Sequence, residues 1–211
     1  MINKELQKRI LSSLILIPLS FFFIIQGHIL FIFFLSIVFL VSSYEWIIMS
    51  KKSLLLKFLG IIFLFFSFYT AFYFRENENY KDFLFIITIC IFTDIGGYSF
   101  GKMFKGPKLT KISPNKTYAG VFGSFLLPLI VGLVVYEYEY TDQISYKGLY
   151  FLIIILFISF ISQIGDLIIS YFKRNAKLKD TGRILPGHGG LLDRIDGLIF
   201  VFPFCYLITI L

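Results

Sequence analysis

The sequence predicts an all-α, polytopic membrane protein: a transmembrane bundle of about seven helices, N-terminus inside and C-terminus outside. Three observations carry this: composition, the length of the apolar runs, and a one-sided distribution of Lys and Arg. Of 211 residues 57% are hydrophobic and only 16% charged, and the mean hydropathy is +0.83. Such a chain has too little polar surface to cover a water-facing globule. Its apolar residues come in runs that match a hydrocarbon core of about 30 Å, which takes about 20 helical residues to cross.

Seven spans are expected, in order: 10–26, 28–49, 54–74, 82–101, 117–136, 148–172 and 190–210. The first comes after a basic stretch, Lys4, Lys8 and Arg9, as in a signal peptide. No small-residue cleavage site comes after it, so it reads as a retained helix. Only Gln26, Gly27 and His28 separate it from the second span, which predicts a tight hairpin. Pro18, Pro128 and Pro203 fall inside spans, as ordinary transmembrane prolines do where neighbours satisfy the freed carbonyls. With the N-terminus inside, the alternating segments place 17 of the 20 Lys and Arg on the inner side. Arg75, Lys81 and Lys147 alone lie outside. Short loops orient by this bias, and it accounts for the net charge of +7 without nucleic acid. Cys90 and Cys205 both lie in apolar runs, which argues against a disulfide framework or a zinc cluster. No repeat or linker divides the chain, so residues 1–211 read as one integral-membrane domain.

Polar chemistry is confined to two segments on the inner side. The first runs from Thr93-Asp94-Ile95-Gly96-Gly97-Tyr98 to Ser113-Pro114-Asn115-Lys116-Thr117. The second begins at Ser162-Gln163-Ile164-Gly165-Asp166 and ends at Asp193-Arg194-Ile195-Asp196. Asp94 and Asp166 lie within apolar spans, where an ionised Asp costs about 2.5–3.5 kcal/mol on insertion scales and usually faces a polar interior with a task. Helical periodicity puts Gln163, Asp166, Ser170, Lys173 and Arg174 within an arc of about 100°. Cys90, Asp94, Gly97, Tyr98 and Gly101 share another face, whose small residues permit close helix packing. Asp193 and Asp196, at i and i+3, are neighbours on a helix face. Paired carboxylates suit Mg²⁺, which is usually held by one or two carboxylates plus substrate phosphates. The run Pro186-Gly187-His188-Gly189-Gly190 offers close backbone approach and free N–H groups, and Ser113 to Thr117 offers a hydroxyl, an amide, an ammonium and a helix start. Each feature alone also fits a turn, a cap or positive-inside topology. Together they suit phosphoryl or nucleotidyl transfer to a lipid head group. With only two histidines, His28 and His188, no nucleophilic triad is in prospect.

The second segment resembles a known signature. Ser170-Tyr171-Phe172-Lys173-Arg174, Lys179-Asp180-Thr181-Gly182 and Leu185-Pro186-Gly187-His188-Gly189-Gly190-Leu191-Leu192-Asp193-Arg194-Ile195-Asp196 are similar to the signature of the phosphatidate cytidylyltransferase (CDP-diacylglycerol synthase) family. Thr93-Asp94-x-Gly96 with Tyr98, and Ser113 to Thr117, resemble the family too, so the likeness covers 93–200. The sequence departs from the family pattern at Thr181, where serine or a bulkier residue is common. It also has Tyr118-Ala119-Gly120 where Trp or Phe with Glu and Gly is usual.

The resemblance implies transfer of the cytidylyl group of CTP to phosphatidic acid, giving CDP-diacylglycerol and pyrophosphate in phospholipid biosynthesis. It implies Mg²⁺, K⁺ as a second ion, a homodimer, and a multi-pass place in the cell (inner) membrane with the active site facing the cytoplasm. The metal positions it maps are Asp166 and Asp193, with Asp196 close by. Catalytic candidates are Asp166, Lys173, Arg174, Lys179, Asp180, His188, Asp193, Arg194 and Asp196. Substrate-binding candidates are Asp94, Ser113, Asn115, Lys116, Thr117, Gly187, Gly189 and Gly190. Two other readings use the same residues: a CTP-dependent, polyprenol-type lipid kinase, and an ion or solute transporter, whose sites tend instead to lie at the midplane between repeats.

Overall fold

The structure, a computed structural model, describes residues 4–50, 53–110, 113, 116–139, 146–187 and 189–210. Among the described residues eight helices occur in order: α1 (Lys4–Gln26), α2 (His28–Met49), α3 (Leu54–Asn77), α4 (Tyr80–Phe104), α5 (Tyr118–Glu139), α6 (Tyr146–Asn175), α7 (Leu192–Ile195) and α8 (Leu198–Ile210). The first six match the first six expected spans in order and, within a few residues, in extent. All six are long and apolar enough to cross a membrane, so the protein is a multi-pass membrane protein.

The seventh span differs from expectation. Residues 190–191 are not helical, α7 is a single turn, and a break at Asp196-Gly197 separates it from α8. The Asp196 carboxylate accepts the N–H of Gly197 at 2.9 Å, a local bond that competes with the helix. Gly197 adds the conformational freedom that weakens a helix interior. The remaining 13-residue α8 is about 20 Å long, short of the roughly 30 Å hydrocarbon core.

The chain divides into two compact units, residues 1–83 with 171–211, and residues 84–170. In the first, α1 and α2 form the expected hairpin, with Gly27 at φ +66°, in the left-handed region that favours glycine. Two residues of α3 lock it. Arg75 donates to the carbonyls of Ile24 (2.6 Å) and Ile25 (3.0 Å), and Glu76 accepts the His28 N–H at 2.8 Å. These carbonyls end α1 and would otherwise lack partners. Between α2 and α3, Gly60 leaves room for the Trp46 indole, whose Nε1 donates to the Leu56 carbonyl at 3.0 Å. Ser67 on α3 donates to the Ile199 carbonyl on α8 at 2.6 Å. Phe83 stacks on Phe202 and meets Phe31 edge-on.

In the second unit, small residues decide the packing of α4 on α5; the sequence marks the small residues of α4 as permitting close packing but does not name the partner helix. A Cβ on Gly96 would run into the Gly123 carbonyl, and Gly97 and Gly101 lie against Gly120, Thr117 and Ser124. On α6, Ser159 accepts a hydrogen bond from Thr93 of α4 at 3.1 Å, and Ile155 fills the space beside Gly132 of α5.

Candidate active site

The residues of the signature are positioned by the way α6 ends. Leu178 N–H donates to the Lys173 carbonyl (2.9 Å) and Lys177 N–H to the Arg174 carbonyl (3.0 Å), while Lys177 takes φ +58°. This is the Schellman arrangement, with Lys177 in the left-handed position more often held by glycine. It reverses the chain after one last turn that carries Lys173 and Arg174. Arg174 folds over the reversal, donating to the Leu178 carbonyl at 3.1 Å.

Asp193, on α7, is the hub of the signature's hydrogen bonds. Its Oδ1 accepts from Lys173 Nζ at 2.7 Å, and both side chains are about nine-tenths buried. Its Oδ2 accepts three further bonds: from Thr181 N (2.7 Å), Thr181 Oγ1 (3.0 Å) and Gly190 N (3.2 Å). Taking two charges out of water is expensive unless the remaining lone pairs are satisfied, and here the extra donors supply that. Leu185 and Gly189 pair as an antiparallel bridge. The turn between them uses Gly187 (φ +77°) and Gly189 (φ +87°) in backbone conformations that other residues rarely adopt. This turn delivers the Gly190 N–H to Asp193. Asp180 lies beside Gly189. Arg174, Lys179, Asp180, Arg183 and Arg194 are exposed. Lys179 and Arg183 line an open cleft of about 520 Å³, together with Tyr44, Ile48 and Ile184. Asp196 is buried.

The second unit brings together Lys116 and Asp166, the former on the loop before α5 and the latter on α6. Lys116 Nζ stands 2.5 Å from Asp166 Oδ2, and Ser170 donates to Asp166 Oδ1 at 3.1 Å. The loop is tied to itself by Leu109 N–H to the Lys116 carbonyl (2.8 Å) and by a bridge between Lys108 and Thr117. Thr117 caps α5, accepting the Gly120 N–H at 3.1 Å, as an N-cap residue does. The Ser113 N–H donates to Thr110 Oγ1, and Asp94 is exposed on α4. The Gln163 side-chain nitrogen is buried and has no hydrogen-bond partner among the described residues, an arrangement that calls for an acceptor. Asn115 and His188 lie outside the described residues.

Sequence reasoning missed Glu45. It is fully buried on α2 and accepts from Thr181 Oγ1 (2.8 Å), Leu191 N (2.9 Å) and Leu192 N (2.8 Å). An ionised glutamate in the apolar run around Ser42-Ser43-Tyr44-Glu45-Trp46 carries the same kind of insertion cost as Asp94 or Asp166, and that signal could have found it. Thr181 was legible as part of the signature, but not as the hydroxyl between Glu45 and Asp193.

The profile of the family described as Cytidylyltransferase family matches residues 52–211. The chain belongs to the cytidylyltransferase family. It is 39% identical over 145 residues to the phosphatidate cytidylyltransferase of Bacillus subtilis, an alignment covering 66% of this chain and 53% of that protein. It is 40% identical over 140 residues to that of Staphylococcus epidermidis, with the same coverage. Against the phosphatidate cytidylyltransferase of Rickettsia felis it is 32% identical over 215 residues, covering 99% of this chain and 94% of that one. The chain spans about half the length of the Bacillus and Staphylococcus relatives it matches. Glu45 lies outside the segment that matches the cytidylyltransferase profile.

Among the described residues, no three His, Cys, Asp or Glu side chains are close enough together to form a metal cage. Mg²⁺ needs none, because one or two carboxylates complete its shell with waters and substrate phosphates. The donor chemistry of this chain fits that pattern. Asp166 and Asp193 are hard oxygen donors, and each already holds one cation, the ammonium of Lys116 or of Lys173. On Asp193 the fit is through Oδ1, since Oδ2 is taken by three donors.

Proposed function

We propose that the chain transfers the cytidylyl group of CTP to phosphatidic acid, giving CDP-diacylglycerol and pyrophosphate. The observation that carries the reading is Asp193. A family-signature carboxylate is held nearly buried by Lys173, Thr181 and Gly190, all residues of the same signature. A phosphate oxygen of phosphatidic acid attacks the α-phosphorus of CTP, one P–O bond forms, and the bond to the β-phosphate bridge breaks as pyrophosphate leaves. The nucleophile is already an anion, so no general base is required.

The obstacle is repulsion between two polyanions, and catalysis is then mainly positioning and charge stabilisation. Arg174, Lys179, Arg183 and Arg194 are exposed cations of the signature segment, suited to holding phosphates. Lys173 is paired with Asp193 and holds that carboxylate in place. Lys116 and the Gln163 amide, unpartnered among the described residues, offer donors to phosphate oxygens in the second unit, with Ser113, Thr117, Asn115 and Asp94 as further nucleotide contacts. Gly187 and Gly189 supply backbone N–H groups to the substrate, and Gly190 gives its own to Asp193. Asp180, beside Gly189, and His188 are further catalytic candidates of the signature.

Asp166, Asp193 and Asp196 are the proposed Mg²⁺ ligands. When bound, the ion would neutralise developing charge on the polyphosphate. K⁺ as a second ion and a homodimer belong to the same reading. So does a place in the cell inner membrane with the signature toward the cytoplasm, which the Lys and Arg bias supports.

The test uses purified protein in detergent with Mg²⁺, phosphatidic acid and CTP labelled on the α-phosphate. Label entering the lipid with release of pyrophosphate is the expected result. No lipid label, with CDP formed when a lipid alcohol is supplied, would instead assign a lipid kinase.

A further inference from the structure

We propose that Glu45 is a positioning residue for the transfer reaction, acting by fixing the 181–193 segment on which Asp193 is held. The proposal rests on the cytidylyl-transfer reading above. Glu45 belongs to α2, far from the signature in sequence, and none of its side chain is exposed. All three hydrogen bonds described for its carboxylate come from the signature. Oε1 accepts the Leu191 N–H at 2.9 Å, and Oε2 accepts the Leu192 N–H and the Thr181 hydroxyl, both at 2.8 Å. Leu191 and Leu192 open α7, the turn that carries Asp193. Thr181 touches both carboxylates, since its hydroxyl is 3.0 Å and its N–H 2.7 Å from Asp193 Oδ2.

The space around Glu45 is shaped for it. A Cβ on Gly182 would collide with Glu45 Oε1. One on Gly190 would collide with Thr181 Oγ1 and come within 2.7 Å of Glu45 Oε2. Two glycines of the signature therefore make room, in the fold, for a carboxylate from another helix. A fully satisfied buried polar network of this kind specifies one arrangement of its members. What it specifies here is the direction of the Asp193 carboxylate and the start of α7.

Glu45→Gln tests this at nearly constant shape. Each glutamate oxygen accepts a backbone N–H, one from Leu191 and one from Leu192. Either orientation of a glutamine amide sets its NH₂ against one of them. The assay is transfer of α-phosphate label from CTP to phosphatidic acid by the full chain in detergent, with wild type run first. If wild type transfers no label, the cytidylyl-transfer reading fails, whatever Glu45 does. With wild type active, folded E45Q is expected to lose about 100-fold in kcat, the scale of an ångström-sized misplacement. Amide hydrogen exchange should accelerate in peptides covering residues 181–195. Thr181→Ser, which keeps the hydroxyl, should retain activity, and Thr181→Val should lose it. E45Q combined with Thr181→Val should lose less than the product of the two single losses, because both remove the Glu45–Thr181 hydrogen bond.

A folded E45Q with wild-type kcat overturns the proposal. So does an E45Q whose kcat falls while exchange over 181–195 stays at the wild-type rate. Should E45Q not fold, Glu45→Asp decides by the same two readouts, because it keeps the charge but draws the carboxylate back from Leu191, Leu192 and Thr181, and alters no residue that donates to Asp193.

Discussion

Replacing Lys173 with methionine keeps most of the side-chain volume and removes one charge from a buried pair. Lys173 and Asp193 are 10% and 9% exposed, with the ammonium 2.7 Å from Oδ1. Removing one partner of such a pair typically costs about 3–5 kcal/mol, because the other charge is left buried. Asp193 retains three donors on Oδ2, which places the expected loss at the low end, about 3 kcal/mol. The control is Lys116→Met. Its ion pair is shorter, 2.5 Å, but the side chains are 27% and 28% exposed. Partial solvation weakens it toward the value of surface pairs, about 1 kcal/mol or less.

The assay is equilibrium unfolding in mixed micelles, monitored by tryptophan fluorescence. Trp46 is the only tryptophan, and its ring lies 4.9 Å from that of Phe172, the neighbour of Lys173. Burial is expected to outrank distance, so Lys173→Met is the more damaging change. If Lys116→Met cost as much as Lys173→Met, burial would not be what sets the strength of these pairs.

Three other perturbations probe the glycine contacts, the metal and the hairpin. Gly190→Ala places a Cβ against Thr181 Oγ1 and 2.6 Å from Gly182 N; overpacking of this kind costs about 1–3 kcal/mol, so folded yield and lipid labelling should both fall. Gly106→Ala, with nothing within 4 Å of its Cβ, should cost only the strain of its positive φ, and an equal loss in both variants would contradict the steric account. Asp193→Asn should lower activity most at limiting Mg²⁺ if that carboxylate holds the metal, and full activity there would remove it from the proposed ligands. Arg75→Met deletes the donors to the Ile24 and Ile25 carbonyls, which should cost about 2 kcal/mol; exchange measured over residues 24–31 should accelerate, and an unchanged rate would mean that the α1–α2 hairpin holds without Arg75.

Much of the fold was legible because a membrane imposes long apolar runs and a charge bias that can be counted along the chain. The helices α1 to α6 and the hairpin at Gly27 were readable in that way, whereas the small-residue face of α4 was visible without its partner α5. The break at Asp196-Gly197 was not, because hydropathy does not register a side chain that takes its neighbour's N–H. Around the signature, residue identities were readable but their partners were not. Periodicity placed Lys173 on a stripe with Asp166, whereas the structure bonds Lys173 to Asp193 and Lys116 to Asp166.

By itself, then, the sequence determined the helical class, the number of long spans to within one and the stretch that carries the chemistry. Each of these depends on composition, periodicity or spacing within a short window. Only tertiary structure decided which cation neutralises which carboxylate, and that Glu45 reaches from α2 to the turn bearing Asp193. Those are contacts between residues far apart in the chain. Their energies depend on burial and on hydrogen-bond geometry, which exist only once the helices have packed.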